Sequence, residues 1–228
     1  MPTASPASAV LFTWLVLFVA VLVGYGFRRA RVGVAAVLGI LTTYLVVPGF
    51  LARARALDRY DPLPAPALLL LLGLTILTVG IVFSPLGAGL AARTALGAVV
   101  ALQAFRIPVE LMLHRLHVEG AVPVQMTYSG RNFDVVSGIT GLLIGTWLLI
   151  GRPVPRGLVL AWNTLGLLLL ANIVIIAVLS TPVPFRQFTA DPPNLLPSTF
   201  PYVWLPSFLV QVALGSHLLV FRQLWRRE

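Results

Sequence analysis

The chain of 228 residues contains no cysteine and no lysine, and only 10% of its residues are charged. Each shortage excludes something. Without cysteine there is no disulfide, no thiolate nucleophile and no iron–sulfur ligation. Without lysine no Schiff base can form with retinal, so a rhodopsin is excluded whatever the helix count. A charged fraction of 10% lies far below the roughly 25% of soluble globular domains. Common catalytic signatures are also missing, since no HExxH, CxxC, Walker or GxSxG pattern occurs.

What the chain has in abundance is apolar sequence, 58% of all residues, with a mean hydropathy of +0.95. The runs recur along its whole length, which predicts an all-α, polytopic transmembrane helix bundle forming one domain over 1–228. Seven spans are predicted, at about 9–26, 32–51, 67–84, 94–117, 135–151, 158–180 and 203–222, each near the 17–25 residues that cross a hydrocarbon core. Proline and glycine punctuate them, with Pro62, Pro64 and Pro66 before the third span. Ser84-Pro85-Leu86-Gly87 follows that span as a turn, and Pro153 and Pro155 follow the fifth. Met1 to Ser8 carries no positive charge, and Arg28, Arg29 and Arg31 follow the first apolar run. A cleaved signal peptide has the opposite order, so a retained first helix is expected.

All 16 basic residues are arginine, and their placement sets an expected topology. With the N-terminus outside, nine fall in inner segments (Arg28, Arg29, Arg31, Arg93, Arg152, Arg156, Arg222, Arg226 and Arg227). Five fall in outer ones (Arg53, Arg55, Arg59, Arg131 and Arg186). The excess predicts N-outside, C-inside insertion. The complete use of arginine for lysine, beside abundant Ala, Gly, Pro, Leu and Val, points to a GC-rich bacterial genome and so to a bacterial inner membrane. The net charge of +9 is therefore a topology signal whose partners are the lipid bilayer and its anionic headgroups, with no nucleic acid expected.

Within this apolar background one helix carries a polar stripe. Gln103, Arg106, Glu110, His114 and His117 follow one another at spacings of 3, 4, 4 and 3. At about 100° per residue they share an arc of roughly 80°. Arg106 and Glu110 fall mid-span, where an ionisable group is costly and usually functional. The two are expected to pair at i, i+4, with Pro108 between them freeing the carbonyl of Ala104 and kinking the helix. Asn172 and Gln211 are expected at matching depth, completing an outward-facing pocket of Gln103, Arg106, Glu110, His114, Asn172 and Gln211. Asn163 and His217 are expected nearer the inner side. Asn132 and Asp134 read as caps of the fifth span, and Arg115 as a side chain snorkelling to headgroups. His114 and His117 share a face, but His217 is placed too deep to join them, so no metal or cofactor is expected.

Gly138, Gly141 and Gly145 line one face of the fifth span and predict close helix packing within the chain. Residues 181–206 hold seven prolines interleaved with aromatics, suiting either a lid over a pocket or an interfacial anchor.

Two segments carry a resemblance. Met126-Thr127-Tyr128-Ser129-Gly130-Arg131-Asn132-Phe133-Asp134, with Phe105-Arg106 before it, and Phe200-Pro201-Tyr202-Val203-Trp204-Leu205-Pro206 resemble an uncharacterised family of bacterial multi-pass membrane proteins. The likeness covers about residues 103–222 and implies a seven-helix protein without assigned chemistry. Three functions are thus expected in turn. The first is binding or transport of a small molecule or ion. The second is an intramembrane enzyme acting on a lipid or isoprenoid-like substrate, with Glu110 and His114 as an acid–base pair. The third is a structural subunit with a membrane-complex partner.

Overall fold

The computed structural model describes residues 4–225; Arg226 and Arg227, counted above among the inner arginines, lie outside the described residues. Helices account for all of its regular structure, and no strand occurs among the described residues. Among the described residues six helices are long and apolar enough to cross a membrane. These are α1 (Pro6–Arg29), α2 (Val34–Arg53), α3 (Pro66–Phe83), α5 (Leu96–Val118), α7 (Arg156–Leu179) and α8 (Leu205–Trp225). The predicted fifth span appears as α6 (Asp134–Leu149), which is apolar but has only 16 residues. The expected turn at Ser84 opens a further short helix, α4 (Pro85–Arg93). Ser84 caps it by accepting from the N–H groups of Leu86 and Gly87.

The outside of the bundle is greasy. Trp14, Val21, Phe50, Ile76, Leu143 and Leu168 are each more than half exposed. In water such a surface would aggregate; against lipid tails it costs nothing, and the polar side chains turn inward instead.

One end of the bundle, the arginine end, gathers the α1–α2 turn, α4 and the C-terminal part of α8. Arg93 donates to the Ala30 carbonyl, Arg222 to the Val82 and Ser84 carbonyls, and Gln223 to those of Ala91 and Thr94. The opposite, loop end gathers the long connections 54–65, 119–133 and 180–204. There Ser5 and Ser8 tie the start of α1 to Glu119 and Arg115. Arg115 is thus anchored to side chains, where snorkelling to headgroups was expected.

Two helices contain π-turns, Thr42–Val46 in α2 and Leu205–Leu209 in α8, and the two face each other. A π-turn loosens the regular ladder and frees carbonyls. Here the Tyr44 and Leu45 carbonyls accept from Ser207 and from the Trp204 indole.

The glycine stripe of α6 does what its spacing predicts. A Cβ on Gly138 would stand 2.9 Å from Ile107, and one on Gly141 would stand 2.9 Å from Trp162 and 3.1 Å from the Gln103 side chain. Gly145 lies directly against the Ala101 backbone. Small residues let α6 approach α5 closely and run antiparallel to it. Because α6 is short, its first residue, Asp134, comes level with the middle of α5. The folded loop 119–133 fills the space above it, with Val122, Met126, Thr127 and Asn132 all buried. Non-helical backbone at this depth is tolerated because protein surrounds it.

Candidate functional site

Arg106, Glu110 and Asp134 meet in the middle of the bundle, at 2%, 2% and 6% exposure. The backbone prepares the place: α5 tightens into a 3-10 turn at Gln103–Phe105, and Pro108 denies the Ala104 carbonyl its usual donor. The regular α-helical ladder is thus interrupted one turn ahead of Pro108, next to the freed carbonyl that was expected.

The pairing differs from expectation. Arg106 does not pair with Glu110; its guanidinium forms a bidentate ion pair with Asp134, Nε donating at 3.0 Å to Oδ2 and Nη2 meeting Oδ1. An arginine projecting from α5 at this height meets the start of α6 before it can reach back to a carboxylate one turn up its own helix. Asp134 therefore spends its carboxylate on Arg106, and the expected capping of α6 falls to Asn132 alone, whose Oδ1 accepts the Asp134 N–H. A buried charge is tolerable only when paired and hydrogen-bonded, and this fork-to-fork geometry supplies both.

The remaining guanidinium face reaches three more acceptors through Nη1: Ser137 Oγ at 3.0 Å, the Gly166 carbonyl at 3.3 Å and His217 Nε2 at 3.1 Å. Arginine only donates, so His217 Nε2 must present a lone pair and the ring proton sits on Nδ1. That nitrogen then donates to Asn163 Oδ1 at 2.8 Å, while Asn163 Nδ2 returns a bond to the His217 carbonyl. Four helices are joined by one cation. Gly166 is required for it, since a Cβ there would collide with the imidazole and with Ser137.

Glu110 is held differently. Its Oε1 accepts a short hydrogen bond from Asn132 Nδ2, which also donates to the Met126 carbonyl. Asn132 Oδ1 in turn accepts the Asp134 N–H, so the loop-end connection supports both carboxylates. Oε2 of Glu110 has no hydrogen-bond partner among the described residues. Glu110, Arg106 and Asp134 form the polar edge of a cavity of about 80 Å³, large enough for several waters. Its other walls are apolar, among them Phe105, Leu113, Ile173 and Leu209, and Thr181, Asn194 and Leu196 from the proline-rich loop roof it over.

The other residues expected in the pocket lie apart from the pair. Gln103 is buried but turns to the Ala213 carbonyl. His114 stacks on Tyr128 and reaches Ser129 at 3.4 Å. Asn172, expected to face the pair, donates to the Arg131 carbonyl of the loop instead. Gln211 belongs to a separate network in which its carbonyl accepts from Thr78, itself bonded to the Tyr44 hydroxyl at 2.8 Å. Asp134, Asn132, Ser137, Asn163 and His217 complete the observed site. Asp134 and Ser137 stand at i, i+3 beside the glycine stripe that faces α5, a signal available in the sequence. His217 is eight residues from the end of α8 and Arg106 ten from the start of α5, so the two share a depth. Among the described residues no three metal-ligating side chains converge.

Comparison with known families, curated proteins and solved structures returns no match for this chain. The two segments carrying the resemblance are those that fold around the site: 126–134 supports Glu110 and Asp134, and 200–206 leads into the π-turn of α8.

Proposed function

We propose that this chain is a multi-pass membrane protein that binds, and passes across the bilayer, a small ligand carrying a cationic or hydrogen-bond-donating group. Glu110 is its acceptor. In this reading seven helices cross, with the N-terminus outside and the C-terminus inside, and the loop end is the outer face. The observation that carries the proposal is the free Oε2 of a buried glutamate at the edge of an otherwise apolar cavity. A buried carboxylate whose second oxygen has no partner is an expensive arrangement unless a proton, cation or donor completes it. Arg106, Asp134 and His217 act as the rigid wall that holds α5 through α8 in register; Glu110 is the adaptable member, held through one oxygen only.

An acid–base enzyme built on Glu110 and His114 has weaker support, because His114 is committed to Tyr128 and Ser129. A partner-docking role for the stripe also has weaker support, because Gln103, Arg106 and Glu110 face the bundle interior.

The test is reconstitution in liposomes with a pH-sensitive dye and a panel of small organic cations and monovalent ions. Uptake in the native chain, lost in Glu110→Gln while the variant keeps its thermal midpoint, is the expected result. Uptake unchanged in Glu110→Gln sinks the proposal.

A further inference from the structure

A second and larger space lies away from Glu110. Between α1, α2, α3, α5 and α8 runs a crevice of about 700 Å³, within the range of about 300–1,000 Å³ typical of small-molecule sites. Its walls are apolar for most of their length, formed by residues such as Val23, Ile40, Ile81, Val99 and Leu219. Polar groups concentrate at its two extremes, with Ser216 between them. At the arginine end stand Arg29 and Arg93, both exposed. At the deep end stand Tyr44, Thr78 and Gln211, joined by hydrogen bonds.

The depth is informative. Tyr44 is ten residues along α2 from Val34. Ten residues of helix rise about 15 Å, half of a hydrocarbon core of roughly 30 Å, so the crevice is one leaflet deep. The charge pattern is equally one-sided. Arg29 lies over the Tyr25 ring, Arg93 donates to the Ala30 carbonyl, and neither pairs with a carboxylate among the described residues. Apart from Glu228, outside the described residues, every carboxylate of the chain lies in the bundle interior or at the loop end.

From this we infer that the crevice is a binding site for one anionic phospholipid from the leaflet at the arginine end. Its phosphate sits between Arg29 and Arg93, and one acyl chain runs along the apolar walls toward Gln211. The lipid fills a space that would otherwise separate α1 and α2 from the rest of the bundle, and so holds those two helices in place. The site shares no residue with the cavity at Glu110 and stands or falls independently of it.

The experiment uses the full chain purified in mild detergent, with lipid retention read by native mass spectrometry and by thermal shift. The probes are phosphatidylglycerol, phosphatidylcholine and inorganic phosphate. The native chain is expected to retain one phosphatidylglycerol and no phosphatidylcholine. A surface arginine contributes about fivefold in affinity for anionic lipid, so R29Q with R93Q should weaken retention roughly 30-fold. Ala98→Trp, which obstructs the crevice while leaving both arginines intact, should weaken it too. Both sets of positions are exposed, so the variants should elute as the native chain does. Equal retention of the two lipids overturns the inference, as does retention unchanged in R29Q with R93Q or in Ala98→Trp. A thermal shift from inorganic phosphate as large as that from phosphatidylglycerol also overturns it, because the tail would then contribute nothing.

Discussion

The first three long helices and the later ones are built on opposite plans. In α1, α2 and α3 only 22%, 17% and 22% of the apolar window is buried, whereas in α5 the figure is 61% and in α8 it is 50%. The later helices are held by a buried cation, its acceptors and a glycine face; the earlier ones lean on them through aromatic contacts, π-turn carbonyls and the crevice. In lipid there is no hydrophobic drive between helices, so tight association needs close backbone approach or polar bonds, and only the second half has both. Mobility should therefore concentrate in α1 and α2.

The contrast breaks most sharply at Arg106. Arg106→Leu strands the Asp134 carboxylate in the interior, and a cost of about 3–5 kcal/mol is expected in detergent or nanodisc unfolding. R106L combined with D134L should recover most of that loss, since removing both partners leaves no orphan charge. A double variant as unstable as the single one would show that the pair does more than neutralise itself.

Glycine substitutions test the packing difference next. Gly141→Ala drives a Cβ against Trp162 and Gln103, and Gly97→Ala drives one against the Gly145 carbonyl at 2.8 Å. Each should cost about 1–3 kcal/mol. Gly73→Ala and Gly80→Ala in α3 meet nothing within 4 Å and should leave the thermal midpoint unchanged or slightly raised. A uniform response across the four positions would erase the distinction.

An effect of similar size is expected at the site itself. Asn132→Leu removes the donor that holds Glu110 Oε1 and should destabilise by about 1–3 kcal/mol. It should also shift the concentration dependence of any Glu110-dependent uptake more than Asn172→Leu does. The comparison separates the residue that touches Glu110 from the one that bonds to the loop.

The smallest effect is the acid release of α1. Glu119 sits at the end of α5 and is partly desolvated, but the Ser5 N–H, the Ser8 and Ser5 hydroxyls and Arg115 hold its carboxyl down to about 2, against 4.5 ordinarily. A depressed carboxyl contributes stability above its ordinary value and loses it as pH falls through the folded one. Hydrogen-exchange protection at the start of α1, taken relative to the intrinsic exchange rate, should therefore fall between pH 4.5 and 2 in the native chain. It should be low and insensitive to pH in Glu119→Gln.

Much of this architecture was legible from residue order. All seven apolar segments are helical, and six of those helices, among the described residues, are long and apolar enough to cross a membrane. The glycine stripe meets a neighbouring helix, and Arg106 and Glu110 are buried as their place in the stripe implied. The partner assignments were not legible. Helical spacing pairs Arg106 with Glu110, but i, i+4 proximity is a weak attraction that any better-placed carboxylate can outbid. Asp134 is that carboxylate, 28 residues away, and its position depends on α6 being short enough to begin at mid-height. Asn172 and Gln211 have the right depth along their helices and the wrong rotation about them.

Hydropathy, arginine placement and small-residue spacing thus determine by themselves that the chain forms apolar helices with polar side chains turned inward, because these properties are local to each segment. Which charge meets which, whether Glu110 keeps a free oxygen, and where the bundle leaves a space one leaflet deep were decided only by the tertiary structure. Those outcomes depend on the rotation and vertical offset of helices far apart in sequence, and no local period encodes either.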